Sequence, residues 1–414
     1  MKRAVFLSIA DQGLISAFNL LLNLALIAYA TPAQFGSFVV IVAGAFFAIS
    51  AQNALVVTPL NFLLPGHDGE EQAAQLSMLT SVNLVLSAAA AAIGFAAYLA
   101  IFGDIATAAL AVPYLLVALM REYVRALMVV RGTVGRTLVF DVLAMLCTAL
   151  LVPVFWQVLR PELAALAALL GGNMVALLLR GPRLHFRPAS LPRHLERYRE
   201  VWTETRWALQ GALQNEVETR GHIFIVEHWK GPAAIGAIHA GKVALAPLLL
   251  IAPSWRRVAL PRMMEKLKRG DGAEAARLVW SGVAMFAAAC LAAGAALAAG
   301  WPLLETFVFK GRYEGIGTIV FWWWVYAAIV GMITVIATLL QARRQFRDLA
   351  VVGMAVAGTI LALLAGLTFT DLPLTTAILI LIGVHAVELC VYCVMLRRDL
   401  FSWVAVPARL EDSR

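Results

Sequence analysis

Eleven stretches of this chain are each long and apolar enough to cross a hydrocarbon layer, and that settles which solvent it folds in. A spanning helix needs about 20 mostly apolar residues. The stretches lie near 13–30, 36–64, 77–102, 105–130, 137–159, 162–179, 232–255, 278–300, 316–340, 349–369 and 373–396. Hydrophobic residues make up 62% of the chain and charged residues 14%. Soluble domains run at about 45–50% and about 25%. Water cannot solvate a fold with that much apolar surface, so an all-α polytopic membrane protein is expected. The basic start "MKRAVFLSIADQ" runs straight into a span without a small-residue cleavage site, so no signal peptide is expected. The four cysteines fall within apolar segments and read as small buried hydrophobes.

The chain repeats itself. "TPAQFGSF" at 31–38 is echoed by "GPAAIGAI" at 231–238, so Pro32 and Gly36 recur as Pro232 and Gly236. Pro59 then matches Pro261, and "AAQL" at 73–76 matches "AARL" at 275–278. The basic turns "RGTVGR" (131–136) and "RRQFRD" (343–348) follow in the same order. A duplicated six-helix unit explains this order, as in transporter folds built from parallel repeats. It requires the polar stretch 207–229 to stand in the place of the first helix. Twelve transmembrane helices are then expected in two six-helix lobes. The lobes cover 1–180 and 207–396, with a basic linker at 181–206 and a tail at 397–414.

The basic residues test that count, because Lys and Arg collect in cytoplasmic loops. With both termini cytoplasmic, twenty-seven of the 33 fall inside, and only Arg160, Lys230, Lys310 and Arg312 fall outside. Omitting 207–229 as a span would throw the later basic loops to the wrong side. The bias also accounts for the net charge of +8, so no nucleic-acid partner is expected. The aromatic run "FWWWVY" (321–326) reads as an interfacial anchor.

The stretch "WALQGALQNEVETRGHIFIVEHW" carries the chemistry. A charge at mid-membrane costs about 2.5–3.5 kcal/mol, and each large apolar residue returns about 0.3–0.6. Glu216, Glu218 and Arg220 therefore cannot face lipid. Gln210, Gln214, Glu218 and His222 form one i, i+4 stripe, and Glu216 with Arg220 a second. Two readings stay open: the charges neutralise one another, or at least one carboxylate faces a substrate or ion path. In the first helix Gln12, Ser16, Asn19 and Asn23 share a face, with Asp11 at its start. Arg121 and Arg125 share a face of the fourth helix beside Glu122, placed either to snorkel or to line a wet cavity. Asp141 is positioned to neutralise a neighbouring arginine. His239 and Lys242 form an i, i+3 pair, as do His385 and Glu388.

Such a cavity suits an anionic head group, since arginine presents a planar fork to phosphate and lysine a point charge. The candidate substrate-binding residues are Arg220, Lys242, Arg121, Arg125, His239, Asn19 and Gln214. The candidates for ion or proton coupling are Glu216, Glu218 and Asp11. No nucleotide-binding glycine loop or zinc spacing appears, so no cofactor or metal is expected. Energy is expected from H+ or Na+, or from the cargo gradient itself.

Four elements together resemble the polysaccharide-transport flippases. They are the polar first helix within "DQGLISAFNLLLNLALIAYATPAQFGSFVVIVA" (11–43), the "TPAQFG" turn, "VETRGHIFIV" (217–226) and the basic loop "QARRQFRD" (341–348). These flippases are a branch of the multidrug/oligosaccharidyl-lipid/polysaccharide exporter superfamily, which also holds multidrug and toxin extrusion proteins and lipid II flippases. The likeness covers nearly the whole chain. It implies a twelve-helix, two-lobe transporter, not an enzyme, in a bacterial inner membrane. The implied cargo is a polyprenyl-pyrophosphate oligosaccharide, turned from the inner to the outer leaflet for surface or exopolysaccharide assembly. The implied partners are that lipid-linked glycan, membrane lipids, and glycan polymerase or glycosyltransferase machinery. The two additional helices typical of lipid II flippases are not expected here. A drug or cation antiporter of the same superfamily is the main alternative. A major-facilitator carrier fits poorly, because the loop "PGHDGEEQAAQ" (65–75) has no Lys or Arg. A glycan polymerase or ligase fits poorly because the longest outer loop, 301–315, is short.

Overall fold

The computed structural model describes residues 2–65, 69–182 and 190–404. Parts of the expected inner loop (66–68), linker (183–189) and tail (405–414) lie outside the described residues. The elements in order are α1 (Lys2–Tyr29), α2 (Pro32–Gln52), α3 (Thr58–Leu63), α4 (Gly69–Phe102), α5 (Ile105–Val130), α6 (Val134–Phe155), α7 (Pro161–Arg180) and α8 (Leu191–Lys230). They continue as α9 (Pro232–Val243), α10 (Ala246–Leu249), α11 (Ile251–Lys268), α12 (Gly272–Leu303), α13 (Ile316–Ala342), α14 (Phe346–Leu367) and α15 (Thr375–Val404). There is no strand among the described residues. Ten helical spans among them are long and apolar enough to cross a membrane, and the bent α9–α11 segment makes an eleventh. These spans coincide with the eleven apolar stretches of the sequence. The chain is an all-α polytopic membrane protein.

The chain forms two compact units, Met1–Gly236 and Ala237–Arg414. The division falls within α9, after Gly236. Within the first unit α8 packs on α2 and α4, while α7 packs on α5 and α6. Within the second unit α13 packs on α11, α12 and α15, and α14 packs on α15.

The echoed motifs are helix starts. Thr31 caps α2 with a capping box: its hydroxyl accepts from the Gln34 amide, and the Gln34 side chain accepts from the Thr31 amide at 2.9 Å. Pro32 follows at the first helical position, where a missing N–H costs nothing. Before the second motif Gly231 takes φ +80°, a turn that favours glycine, and Pro232 again starts the helix.

Prolines shape the spans that follow. Pro59 has no N–H to offer the Leu55 carbonyl one turn back. The helix answers with a π-helical turn over Asn53–Val57 between α2 and α3. The Leu55 carbonyl is taken instead by the Tyr198 hydroxyl at 2.5 Å. Tyr198 lies in the apolar cluster of Val56, Leu60, Met78, Leu79 and Tyr123. In the second unit Pro247 and Pro253 deprive the Val243 and Leu249 carbonyls in the same way. The expected straight span 232–255 is therefore broken, with a bend of 68° between α9 and the segment that begins at Ala246.

From Leu191 the second part of the basic linker and the polar stretch form one unbroken helix, α8, that runs to Lys230. One further expectation is revised. The run 321–326 does not act as an interfacial anchor throughout. Phe321 is exposed, but Trp323 and Tyr326 are buried. The Trp323 indole donates to the Ile238 carbonyl at 2.8 Å and Trp324 to the Cys290 carbonyl at 3.0 Å. Backbone acceptors within the bundle draw these rings inward.

Candidate functional site

The polar helix α8 meets α2 through two matched ladders. Phe46 and Ser50 stand one turn apart on α2, and Arg220 and Glu216 one turn apart on α8. Ser50 donates its hydroxyl to Glu216 Oε1 at 2.7 Å. Arg220 Nη1 donates to Glu216 Oε2. The guanidinium carbon of Arg220 lies 4.1 Å from the centre of the Phe46 ring, a cation–π contact. Phe47 and Phe224 extend the seam with an edge-to-face pair at 5.7 Å. Glu216 is buried, while the Arg220 side chain keeps 28% of its surface exposed. The pair is thus neutral overall, but its cation can still be reached. A guanidinium has five N–H donors in a planar fork, more than one carboxylate oxygen engages.

The other residues of α8 are arranged more simply. Gln214 donates to Glu218 Oε1 at 3.1 Å. Glu218 is half-buried and His222 fully buried. The i, i+4 stripe of the sequence therefore runs along the helix as expected, with Glu216 and Arg220 on the side that faces α2.

A second cluster in the first unit joins α1, α5 and α6. Asp141 on α6 is fully buried and accepts from Arg121 at 2.5 Å and from Arg125 at 2.8 Å. Arg125 also bonds Asp11 on α1 at 2.7 Å, and Arg121 bonds Glu122 at 2.8 Å. Both arginines are held by carboxylates of this unit, so neither snorkels. Breaking such a buried pair by removing one partner costs about 3–5 kcal/mol. The network therefore clamps three helices at one level.

Asn19 is exposed, and its carbonyl accepts from Asn23 at 2.7 Å. Among the described residues its side chain makes no hydrogen bond to the other candidates. In the second unit Lys242 Nζ lies 5.1 Å from the centre of the Trp323 ring. Trp323 stands edge-to-face with Tyr326 at 4.9 Å, and Tyr326 with His385 at 5.1 Å. His385 Nδ1 donates to the Leu381 carbonyl at 2.7 Å, which places a proton on that nitrogen. His239, half-buried, is on the same helix as Lys242.

One polar element was not singled out in the sequence. Gln52, fully buried at the end of α2, donates to Asn83 Oδ1 on α4 and to the Leu119 carbonyl on α5, both at 2.6 Å. The signal was present as Asn83, the lone side-chain amide of the stretch 77–102, and as Gln52, one of three in the stretch 36–64. In a membrane such a bond between helices contributes about 0.6–2 kcal/mol.

Neither a protein-family profile nor a curated protein sequence matches the chain. Solved structures do. The lipid II flippase MurJ in an inward closed conformation is similar over 95% of this chain and 87% of its own, with a TM-score of 0.66 and 12% identity. An outward-facing multidrug resistance MATE family transporter of the MOP superfamily is similar over 97% and 96%, with a TM-score of 0.56 and 13% identity. A MOP superfamily transporter from Pyrococcus furiosus gives 97% and 95%, a TM-score of 0.56 and 12% identity. At these identities the likeness is one of fold: this chain has the fold of membrane transporters and flippases.

Proposed function

We propose that the chain is a flippase of a bacterial inner membrane. Its cargo is a polyprenyl-pyrophosphate oligosaccharide, moved from the inner to the outer leaflet by alternating access for surface polysaccharide assembly. The observation that carries this reading is Arg220, a reachable guanidinium held in a membrane helix by Glu216 and Phe46. A phosphate can displace Glu216 from that guanidinium with a bidentate, charge-assisted bond. The freed carboxylate keeps its Ser50 hydrogen bond and takes up a proton from H+-coupled exchange. On release of the cargo it gives up that proton and, as a carboxylate again, recaptures the arginine. In the second unit Lys242, on the face of Trp323, is a separate candidate cation.

The test is translocation of a fluorescent polyprenyl-pyrophosphate saccharide in liposomes containing the purified chain. Wild type should move the label to the opposite leaflet, and Arg220→Ala should not while still inserting. Failure of wild-type protein to move any such lipid overturns the reading.

One observation favours a cation or drug antiporter instead. Arg121 is engaged by Asp141 and Glu122, and Arg125 by Asp141 and Asp11, while Glu218 is bonded by the neutral Gln214. A site with available carboxylate charge suits a cationic substrate. Uptake of a cationic dye driven by a proton or sodium gradient, with no lipid translocation, would assign the chain to that class.

A further inference from the structure

The second unit holds a cleft that the proposed transport cycle does not use. It has a volume of about 650 Å³ and lies where α11 turns into α12. One wall is a helical face of α11 with Arg262, Glu265, Lys266 and Arg269. The other is a face of α12 with Glu274, Arg277, Leu278 and Ser281. Each set follows i, i+3, i+4, i+7, so two complete stripes confront each other.

Four cations line this cleft against two carboxylates. Glu274 is paired with Lys266 and lies 4.0 Å from Arg277, and Glu265 is paired with Arg269 at 2.5 Å. A surplus of two positive charges remains. The side chains of Arg269 and Arg277 keep 63% and 78% of their surface exposed. Further from the loop the lining continues with Leu278 and Ser281 on α12 and ends at Arg262 on α11. Trp280, 63% exposed, stands on α12 beside the cleft and outside its lining. An exposed tryptophan at the basic end of a span marks the head-group level of a bilayer. The cleft is therefore cationic along its length at the depth where a phospholipid carries its phosphate.

We infer that this cleft binds the phosphate head group of an anionic glycerophospholipid of the adjoining leaflet, with Arg262 and Arg277 as its principal charges. Basic pockets beside membrane helices hold such head groups, and the volume suits one. Ser281 is placed to bond the glycerol or phosphate oxygens, and Leu278 to contact the first methylenes of the chains.

The experiment uses the full chain, purified and exchanged into nanodiscs of phosphatidylcholine with or without phosphatidylglycerol. Bound lipid is read by native mass spectrometry and stability by melting temperature. Wild type should retain phosphatidylglycerol and melt higher in its presence. Arg262→Gln with Arg277→Gln should weaken retention about fivefold per arginine and abolish the melting shift. Arg193→Gln with Arg199→Gln, the same charge change on α8, should leave both intact. Ser281→Phe fills the mouth without touching a charge and should also abolish retention, which covers the case in which the double variant is unstable. Retention by both cleft variants, or equal loss in the α8 variant, overturns the site. An equal melting shift from inorganic phosphate in phosphatidylcholine alone overturns the lipid and leaves a free-anion site.

Discussion

Gly36 and Gly236 pack reciprocally within the first unit. A Cβ on Gly36 would lie 1.7 Å from the Pro232 carbonyl oxygen, and one on Gly236 would lie 2.0 Å from the Pro32 carbonyl oxygen. Each residue of one motif meets the partner residue of the other, the mark of a two-fold contact. The repetition in the sequence is thus also a contact: the two helix starts recur because each supplies the surface that the other needs.

This sets the first prediction. The obstructing atoms are backbone carbonyls, which cannot rotate away as a side chain can. Gly36→Ala and Gly236→Ala should each lower stability by about 1–3 kcal/mol or more. The exposed Gly13, with nothing within 4 Å of its Cβ position, is the control and should tolerate alanine. Melting temperatures of the purified variants check this, and equal melting of all three would refute the close approach.

The Arg125 bridge between Asp11 and Asp141 sets the second. Asp141→Leu removes the carboxylate that Arg121 and Arg125 share, leaving Arg121 to Glu122 and Arg125 to Asp11, and should cost about 3–5 kcal/mol. Removing the rest of the network as well, with Arg121→Met, Arg125→Met, Asp11→Asn and Glu122→Gln, should recover most of that loss, because no buried charge is then left without a partner. Denaturation of the single and quintuple variants compares them directly. A quintuple variant no more stable than the single one would show that packing, rather than charge, dominates at this level.

The spans were legible because hydropathy depends on composition alone, and a bilayer leaves few alternatives to helix. Pro59 and Pro247 announced breaks, but not their form. A proline says which carbonyl loses its donor, and only the fold says that Tyr198 replaces it at Leu55. The charges of α8 were legible as a cost without showing who bears it, since Ser50 and Phe46 stand some 170 residues away in the chain. Arg121 and Arg125 were ambiguous for a related reason. Asp11 and Asp141 reach them from other helices, and a face assignment on one helix cannot show that. Trp323 was misread because burial depends on which backbone acceptor a neighbouring helix offers.

The contact of Arg220 with Phe46 and Glu216 separates the roles of its partners. Glu216→Gln keeps the shape but removes the counter-charge, leaving the guanidinium to bind anion without a competitor. It should bind a pyrophosphate lipid more tightly and turn over more slowly. Phe46→Leu removes the cation–π contact, about 0.5–2 kcal/mol, and should weaken transport several-fold without abolishing it. Initial rates and half-saturation concentrations in liposomes separate the two effects. A Glu216→Gln protein with unchanged values for both would show that the carboxylate takes no part in cargo exchange.

His194 joins the extramembrane start of α8 to α4, and its protonation sets the last prediction. Ser81 donates its hydroxyl proton to the Ser77 carbonyl at 2.9 Å, so His194 Nδ1 must be the donor in its 2.8 Å bond to Ser81 Oγ. Partial burial, and then the nearby Arg197 guanidinium, push the imidazole below its ordinary value. The unfolded chain therefore takes up a proton at higher pH than the folded one. The contribution of this group is fully present above about pH 6.5 and is lost as pH falls toward the folded value. Protection factors of 191–206, in which the intrinsic pH dependence of exchange is divided out, should accordingly be higher at pH 7.5 than at pH 5.5. In His194→Gln, whose side-chain amide can still donate to Ser81, the pH difference should shrink while the protection at pH 7.5 is largely kept. Equal pH dependence in wild type and variant would place the titrating group elsewhere.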